Sequence, residues 1–401
     1  MRKKILHFFP DNRQWGGIEV YLQSTLSALQ KHGHYEVTAA VTQGGALSEN
    51  LKQAGVTVYE LPVHIRTPLL RTLDFRVFQK LLPVLKAEQP DLVHIHKGRI
   101  EQGLIRMAGF PMVYTYHSYG GPNNLENAPN PMLRMLYRST TPLLRSLTPF
   151  LSGMAIVSHY EQRRLYREQF LPRHFKTHVL HNGLDTHGIL LQAQHTNRAA
   201  LRNELGIPKN ARVICFACRL TDDKNALAAL RIAQRVLTAP RLHYPVYFLV
   251  AGEGKLAKEF QEAFSNDPLL SQHGQYLGFR QDIHPLVKMS DITISTSLQE
   301  GFGLRVLESL LLGKPCVTYA AGGIPEVMSL PEAQDWLIPV GQEDRFVEHL
   351  IRTIHLTDNE LQRLAPILEA HARRFDIHRH VNQLEAFYDQ VFSGLKTKTR
   401  C

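Results

Sequence analysis

The stretch at residues 291–326 reads as strand, glycine turn, helix, strand and a second glycine turn. Short β-branched and apolar runs, of the kind that form buried strands, occupy 291–296 and 316–320. Leucines recur at helical spacing over 304–312, and Gly313 follows as a stop signal. A unit of this kind joins two parallel strands through a helix, so it constrains the chain to an α/β fold with a parallel sheet.

Two carboxylates frame the first of these glycine turns. Glu300 precedes the helix, Glu308 lies inside it, and Gly301 and Gly303 relax the backbone between them. Unpaired N–H groups and the positive dipole end at the helix start, from Phe302 to Leu304, would favour a phosphate. A carboxylate that leans back toward the helix start could accept hydrogen bonds from sugar hydroxyls. The spacing suggests a nucleotide-sugar site, although it also fits an ordinary strand–helix–strand unit with two solvated glutamates.

The rest of the chain alternates strands and helices in two halves. Strands are predicted at 4–9, 36–42, 56–61, 92–96, 112–116, 155–157 and 178–180, then at 212–217, 246–251, 275–278, 291–296 and 316–319. Helices are predicted at 17–31, 75–88, 226–237, 254–264 and 304–312, with a helical tail over 344–395 broken near 373–375. This alternation indicates two Rossmann-like doubly wound domains, which bind ligands beyond the carboxyl ends of their strands.

The domain boundaries follow from the same pattern. We expect an acceptor-binding domain at 1–181, an interdomain linker at 182–205 and a nucleotide-sugar-binding domain at 206–375. We expect a C-terminal helix at 376–401 to cross back to the first domain.

The positive charge lies in the first half of the chain. Residues 1–181 hold 22 Lys and Arg against 12 Asp and Glu, whereas residues 182–401 hold 24 of each. A basic surface attracts phosphorylated substrates, anionic lipid or nucleic acid, or simply keeps a protein soluble. The charge is diffuse, without the basic stripe and stacking aromatics of a nucleic-acid binder, so no nucleic-acid partner is predicted.

One basic segment could contact a membrane. Residues 131–153 interleave apolar side chains with Arg134, Arg138 and Arg145, which suits either a membrane-surface helix or a stretch packed into its own domain. The first apolar run ends at Pro10 and is too short for a signal peptide. With four unevenly placed cysteines, this predicts a cytoplasmic protein, at the inner face of the membrane if the basic half binds lipid.

Cations and a glycine follow the strands of the second half. Arg219 and Lys224 come after the strand at 212–217, where they could bind a diphosphate or could pair with Asp222 and Asp223. Gly252 ends the next strand and is a further candidate for donor binding.

The first half of the chain also contains residues that could line such a donor site. Gly16 and Gly17 open the first helix, where a phosphate could approach the backbone closely. His117 directly follows a predicted buried strand, as a possible cleft-wall residue. His94 and His96 share a strand face, but no Cys or carboxylate has fitting spacing for a metal. The sequence contains no D-x-D motif, so no metal is predicted.

Several motifs resemble, in the correct order, those of glycosyltransferase family 4. They are GGIE at 16–19, HS at 117–118, HNGLD at 181–185, CRLTDDKN at 218–225, AGEG at 251–254, LGFRQDIHPLVKMSD at 277–291, EGFGLRVLESLLLGKPCV at 300–317 and GGIPE at 322–326. The resemblance covers most of the chain. It implies the GT-B fold, in which two Rossmann-like domains face each other across a cleft.

The resemblance also implies residue roles. Glu308 would bind the ribose hydroxyls of the donor, and Glu300 the hydroxyls of the transferred sugar. Arg219 and Lys224 would bind the diphosphate, helped by backbone amides at Gly17 and in the turn at 301–304. His117 would lie near the anomeric carbon.

The implied function is a retaining, metal-independent transfer of a hexose-type sugar. A UDP-sugar is the favoured donor, with GDP- and ADP-sugars as alternatives, and no cofactor is expected. The acceptor would be a cell-envelope glycan, such as lipopolysaccharide core or a lipid-linked polysaccharide. A GT-B sugar-nucleotide epimerase and a non-catalytic protein that binds nucleotide sugars or anionic glycans remain alternatives.

Overall fold

The chain forms two compact units in a computed structural model, which describes residues 2–9, 16–63, 75–96, 100–117, 151–240 and 242–398. The first unit comprises Met1–Gly183 and Ile377–Cys401, and the second comprises Leu184–Asp376. The C-terminal helix therefore belongs to the same unit as the N-terminal half of the chain.

The first unit is a parallel sheet with helices on both faces. Its described strands are β1 (Lys4–Phe9), β2 (Glu36–Thr42), β3 (Thr57–Leu61), β4 (Leu92–Ile95), β5 (Met112–Tyr116), β6 (Gly153–Ile156) and β7 (His178–Val179). Its described helices are α1 (Gly17–His32), α2 (Ala46–Gln53), α3 (Phe75–Glu88), α4 (Ile100–Met107), α5 (His159–Arg167) and, after the second unit, α16 (Ile377–Lys398).

The second unit repeats this architecture. Its described strands are β8 (Arg212–Ala217), β9 (Val246–Ala251), β10 (Gly274–Tyr276), β11 (Ile292–Ser295), β12 (Cys316–Tyr319) and β13 (Leu337–Ile338). Its α-helices are α6 (Thr186–Gln194), α7 (Arg198–Glu204), α8 (Ala226–Leu237), α9 (Ala257–Asn266), α10 (Pro268–Gln272), α11 (Ile283–Met289), α12 (Leu304–Leu311), α13 (Ile324–Val327), α14 (Glu343–Ile354) and α15 (Asp358–Ala372).

Both sheets have Rossmann strand order. The first runs β3-β2-β1-β4-β5-β6-β7 and the second β10-β9-β8-β11-β12-β13, with parallel pairing throughout the described residues. The order reverses between β1 and β4 and between β8 and β11. Such switch points open a crevice at the carboxyl ends of the strands, where doubly wound sheets bind ligands. The prediction of two Rossmann-like doubly wound domains is confirmed.

The apolar side chains of β1 point alternately to the two faces of the sheet, which explains why this strand is buried on both sides. Ile5 and Phe9 join a core with side chains of α1, α2 and α16, whereas Leu6 and Phe8 join a core with side chains of α3 and α4. Because successive strand residues point to opposite faces, an almost wholly apolar strand buries both sides.

The linker predicted at 182–205 is too long, because the first unit ends at Gly183 and the second begins at Leu184. Residues from Leu184 onward belong to the second unit, and α6 and α7 fill most of this stretch. Side-chain caps explain the two helix starts: Asp185 accepts from the Gly188 amide at 2.9 Å, and Asn197 accepts from the Ala200 amide at 2.9 Å. Polar residues of this stretch are thus N-caps of helices.

Other predictions need smaller corrections. The helix predicted at 254–264 begins at Ala257, and the strand predicted at 275–278 is Gly274–Tyr276. The helical tail does break at Arg373–Phe375, which forms a 3₁₀ turn. The arginines of the predicted membrane segment (Arg134, Arg138 and Arg145) lie outside the described residues. Among the helices of the described ranges, none is long and apolar enough to span a membrane.

Candidate functional site

The switch point of the second sheet brings together three of the residues predicted for the donor site. Arg219 and Lys224 lie in the segment after β8, and Glu300 lies in the segment after the neighbouring strand β11. Residues more than 70 positions apart therefore meet at one sheet edge.

Lys224 and Glu300 form a close ion pair. Lys224 Nζ is 2.5 Å from Glu300 Oε1, and the two side chains are only 16% and 21% exposed. Ser297 Oγ donates a second hydrogen bond to the same carboxylate oxygen at 2.9 Å. Burial alone would lower the pKa of Lys224, but the neighbouring Glu300 carboxylate raises it above its ordinary value. Lys224 is therefore a fixed positive charge at neutral pH.

The backbone around Lys224 is tied to β11. Thr296 Oγ1 donates to the carbonyl oxygens of Lys224 and Asn225, at 2.9 and 3.1 Å, and the Leu298 amide donates to the Asp223 carbonyl at 3.3 Å. Asn225 has a left-handed conformation, with φ of 47°, at the start of α8. These contacts fix where the lysine side chain begins.

Arg219 is held less tightly. Its side chain is 47% exposed, and the nearest carboxylate, Asp223 Oδ2, is 3.7 Å from Nη2. Asp222, the other predicted surface partner, pairs with Lys255 instead. A half-exposed guanidinium with a long, weak ion pair can turn toward an anionic ligand at little cost.

The glycine turn before α12 depends on close backbone contacts with the second glycine turn. The Gly323 amide donates to the Glu300 carbonyl at 3.0 Å. A Cβ on Gly322 would lie 1.7 Å from that same oxygen, and a Cβ on Gly323 would lie 2.4 Å from the Gly301 carbonyl. The pair Gly322-Gly323 is therefore a steric requirement for the shape of the turn that carries Glu300.

The start of α12 has the properties of an anion site. Gly303, its N-cap, has φ of 104° and provides no side-chain cap, and Leu304 is the first helical residue. The first amides of a helix have no intrahelical acceptor, so this end presents N–H groups with a positive dipole. The Phe302 side chain is 2% exposed and packs against Phe375, so the ring is part of the core.

Glu308 is buried but remains charged. Arg305 Nη1 lies 2.5 Å from Glu308 Oε2, and His284 Nε2 lies 3.6 Å from the same oxygen. Burial would raise the pKa of Glu308, yet the Arg305 charge and His284 bring it below its ordinary value. His284 is oriented by Gln192, whose Oε1 is 2.6 Å from Nδ1.

Sequence reasoning missed Arg305, His284 and Ser297 as partners of the two glutamates. Arg305 could have been found, because i and i+3 positions meet on a helix and Glu308 follows it at that spacing. His284 and Ser297 reach the site through tertiary packing, which spacing does not reveal.

Gly252 shapes the site through its backbone. Its amide donates to the Gly278 carbonyl at 2.8 Å, and a Cβ there would lie 1.8 Å from the Cys218 carbonyl. An open cavity of about 530 Å³ lies beside this turn, lined by Glu253, Gly254, Ala257, Lys258, Gln261, Tyr276 and Gly278. The strand-end position predicted for Gly252 is confirmed.

In the first unit, Gly16 and Gly17 are the N-cap and first residue of α1. They lie near the switch point between β1 and β4 of that sheet. Gly17 has open space where a side chain would be, so a ligand group could approach the backbone there. His117 follows β5, the strand beside β4.

His117 is the outer member of a chain of histidines. His117 Nε2 is 3.1 Å from His96 Nδ1, and His96 Nε2 is 2.9 Å from His7 Nδ1. Burial lowers the pKa of His7 to about 3 and lowers the pKa of His96 well below its ordinary value. Both rings are therefore neutral, and each donates from one nitrogen and accepts at the other.

The same cluster includes His94, on the face that it shares with His96. His94 Nδ1 is 2.5 Å from Tyr388 Oη, and His94 Nε2 is 2.7 Å from Thr115 Oγ1. Both nitrogens of this ring are thus hydrogen-bonded, which leaves neither for a metal ion. His7, which sequence reasoning did not single out, lies on β1 and forms a hydrogen bond with His96, which directly follows β4.

Comparisons with known proteins agree with this geometry. The family model "Glycosyltransferase Family 4" matches residues 15–187, and the model "Glycosyl transferases group 1" matches residues 197–366. A UDP-Gal:α-D-GlcNAc-diphosphoundecaprenol α-1,3-galactosyltransferase of Escherichia coli is 25% identical, over 88% of this chain and 89% of the relative. A D-inositol 3-phosphate glycosyltransferase of Saccharomonospora viridis is also 25% identical, over 96% and 92%.

The fold is similar to solved structures over nearly its full length. Anabaena HepE, solved with UDP and glucose, superposes with a TM-score of 0.75 at 21% identity, covering 97% of this chain and 100% of that one. The two doubly wound units and the two family models define a glycosyltransferase with the GT-B fold. Within that class, the chain belongs to glycosyltransferase family 4.

Proposed function

We propose that this glycosyltransferase transfers a hexose-type sugar from a UDP-sugar to a lipid-linked or lipopolysaccharide-type glycan, with retention of anomeric configuration and without a metal ion. The observation that carries the proposal is the partly buried Lys224–Glu300 pair beside the uncapped start of α12. It provides a cation for the donor's diphosphate and a carboxylate for its sugar at one sheet edge.

The diphosphate is the leaving group, and its negative charge grows as the glycosidic bond breaks. Fixed positive groups stabilise that charge most when they need no rearrangement during the reaction. We assign this role to Lys224, to Arg219 and to the amides at 303–305, with Gly17 contributing from the first unit. Two side-chain cations and a helix start can neutralise a diphosphate without a divalent ion.

In this proposal, the two glutamates bind different parts of the donor. Glu308, kept ionised by Arg305, is suited to accept hydrogen bonds from both ribose hydroxyls. Glu300 is suited to accept from hydroxyls of the transferred sugar through the oxygen that Lys224 and Ser297 do not occupy. We place the base in the cavity beside Gly252.

The relatives favour a UDP-sugar and a phosphorylated acceptor. The Escherichia coli relative is named for UDP-Gal and a diphosphoundecaprenol-linked acceptor, and the Saccharomonospora viridis relative for D-inositol 3-phosphate. The excess positive charge of residues 1–181 suits an acceptor of this kind, because a phosphorylated lipid and its membrane surface are both anionic. We therefore assign the acceptor to the first unit, at the inner face of the membrane.

For the chemical step we propose front-side displacement. The acceptor hydroxyl oxygen forms a bond to the anomeric carbon on the face from which the diphosphate departs. The bond from that carbon to the diphosphate oxygen breaks, and the acceptor proton passes to the departing phosphate. His117 lies near this carbon in the proposal and hydrogen-bonds a sugar hydroxyl.

A panel of nucleotide sugars tests the donor site first. We expect UDP and UDP-hexoses to raise the melting temperature in the presence of EDTA, and GDP- and ADP-sugars to do so less. No stabilisation by any nucleotide sugar would refute the proposal.

Transfer is tested with a radiolabelled UDP-hexose and a short-chain saccharide-diphosphate lipid. NMR of the product is expected to show the donor's anomeric configuration. Epimerised UDP-sugar without acceptor would identify an epimerase, and binding without either product would identify a non-catalytic binder.

A further inference from the structure

A cluster of metal-ligating side chains lies in the first unit and includes none of the residues assigned to the donor. His32 ends α1, His34 precedes β2, and Glu385 projects from α16. Glu385 Oε2 is 3.0 Å from His34 Nδ1 and 3.5 Å from His32 Nδ1. One ligand atom from each of the three residues lies within 4.8 Å of the other two.

These separations fit a transition-metal ion. Zinc binds imidazole nitrogen and carboxylate oxygen at about 2.0–2.2 Å in tetrahedral geometry, which places neighbouring ligand atoms about 3.3 Å apart. The two measured nitrogen–oxygen separations, 3.0 and 3.5 Å, lie on either side of that value. Small rotations of the side chains would therefore complete three positions of a tetrahedron.

The carboxylate of Glu385 points independently to a cation. Its side chain is only 9% exposed, and its Oε1 atom is buried without a hydrogen-bond partner among the described residues. A buried carboxylate oxygen without a partner is costly, and a bound divalent ion would compensate for that cost. No contact among the described residues provides this compensation to Oε1.

The second nitrogen of His32 is already held in place. His32 Nε2 is 3.1 Å from His378 Nδ1, and the two rings are stacked with an interplanar angle of 6°. Histidine ligands of metals commonly use their other ring nitrogen in such a hydrogen bond, which fixes the tautomer and the ring orientation. His378 therefore acts as the outer partner of a His32 ligand.

The cluster is open to solvent on one side. An adjoining cavity of about 880 Å³ is lined by Arg2, Lys3, His34, Tyr35, Asn382, Glu385, Ala386 and Asp389. A water or small anion from this cavity could occupy the fourth position. The two cations and two carboxylates of the lining balance each other, so their charges do not exclude a divalent ion.

We propose that His32, His34 and Glu385 bind one zinc-class divalent ion, which clamps the C-terminal helix to the start of β2. The buried cluster of His7, His94 and His96 is a poorer candidate, because both ring nitrogens of His94 are hydrogen-bonded to residues outside that cluster, Tyr388 and Thr115. Among the described residues, the Nδ1 atom of His32 contacts only Glu385, which is itself a proposed ligand. The proposed ion is structural and takes no part in sugar transfer. It therefore does not depend on the function proposed above.

The test uses the full chain without a histidine tag, stripped of metal and then incubated with Zn²⁺ or Co²⁺. We expect about one tightly retained ion per chain after gel filtration, and the visible bands of four-coordinate cobalt. Zn²⁺ should raise the melting temperature and EDTA should lower it. Retention of no ion, or cobalt spectra of a six-coordinate aqueous ion, would overturn the proposal.

Variants locate the site. His34→Ala removes a ligand whose side chain is 70% exposed, so it should fold normally and lose the retained ion. Glu385→Gln keeps the side-chain shape and should lose it as well. His174→Ala, at an exposed histidine of the same unit, is the matched control and should retain the ion. Equal retention by His34→Ala and the control would place the ion elsewhere and refute the assignment.

Discussion

Lys224 Nζ lies 2.5 Å from Glu300 Oε1, and this contact joins the segments that follow two neighbouring strands of the second sheet. A cation for the diphosphate and a carboxylate for the sugar are thus positioned by each other. The Glu300 carboxylate raises the pKa of Lys224 against the effect of burial, so the lysine stays charged at neutral pH. Donor binding at one residue must therefore be sensitive to the other.

Replacing Lys224 by alanine removes the most buried cation of the proposed diphosphate site. We expect kcat to fall about 10²- to 10³-fold, because the leaving group loses a preorganised positive charge. Steady-state kinetics with UDP-hexose and acceptor measure this loss.

Two variants control for this substitution. Lys255→Ala removes a lysine whose side chain is 60% exposed and which pairs with Asp222, and it should leave turnover unchanged. Lys224→Arg keeps the charge and should recover part of the activity. Full turnover in Lys224→Ala would remove the residue from the mechanism.

Gly322→Ala tests whether backbone shape fixes the position of Glu300. The added Cβ would meet the Glu300 carbonyl at 1.7 Å, so the turn must move. We expect kcat/KM to fall about 100-fold, as misplacement of a binding group by about 1 Å can cause.

Gly341→Ala is the matched control, because Gly341 also has positive φ (85°, against 60° for Gly322) but has open space around the new Cβ. Gly341→Ala introduces backbone strain without a steric clash, so it should retain activity. Equal loss in both variants would attribute the effect to strain and not to the turn.

The sequence predicts this turn well because its determinants are local. Glycines, a helical leucine pattern and a β-branched strand are neighbours in the chain, so spacing alone places Glu300 and Glu308 on either side of a helix start. The strand alternation is similarly local, and it predicts most strands of both units to within one or two residues.

Tertiary contacts could not be predicted in this way. His284 reaches Glu308, and His7 reaches His96, across sequence separations that no pattern connects. The linker predicted at 182–205 was too long for a different reason. Asp185 and Asn197 are favoured both in loops and as helix N-caps, and only the structure distinguishes the two.

Glu308→Gln should weaken donor binding more than it slows the chemical step. A neutral amide loses the charge-assisted hydrogen bonds proposed for the ribose, worth about 1.5–3 kcal/mol, or a 10- to 100-fold increase in the Kd of UDP. Isothermal titration with UDP measures the change.

Titration of 2′,3′-dideoxy-UDP separates the ribose contact from a general effect on the pocket. The wild type should lose affinity for this analogue, whereas Glu308→Gln should bind UDP and the analogue about equally. A variant that still prefers UDP as strongly as the wild type would exclude the ribose role.

His96 should affect catalysis through the position of His117. His96→Leu removes the hydrogen bond to His117 Nε2, and a net bond of about 1 kcal/mol corresponds to a several-fold fall in kcat. His96→Asn can keep a polar atom near the Nδ1 position and should recover part of the rate. Donor KM should stay unchanged in both, because the proposed donor residues belong mainly to the second unit.

The recovery in His96→Asn distinguishes positioning from a packing defect. If Leu and Asn variants lose equal activity at equal stability, His96 does not act through this hydrogen bond. His117→Ala sets the upper limit of the effect and should lower kcat at least as much as His96→Leu.

Acid should destabilise the first unit through its buried histidines. Burial lowers the pKa of His7 to about 3 and that of His380 to about 4, from an ordinary value of 6.5. The unfolded chain binds these protons first, so stability is fully present above pH 6.5 and falls as the pH drops toward 4 for His380 and 3 for His7. Each such histidine contributes up to about 1.4 kcal/mol per pH unit in this window.

Hydrogen exchange of peptides that cover β1 and β4 reports the free energy of unfolding of the first unit alone. We would measure it in urea at several pH values from 7.5 to about 5. His7→Gln places a side chain that does not titrate in the same strand. Its slope of unfolding free energy against pH should be smaller than that of the wild type by a difference that grows below pH 6.5 and approaches about 1.4 kcal/mol per pH unit near pH 5. An unchanged slope would mean that His7 already binds a proton in the folded protein, which is incompatible with neutral rings at both His7 and His96.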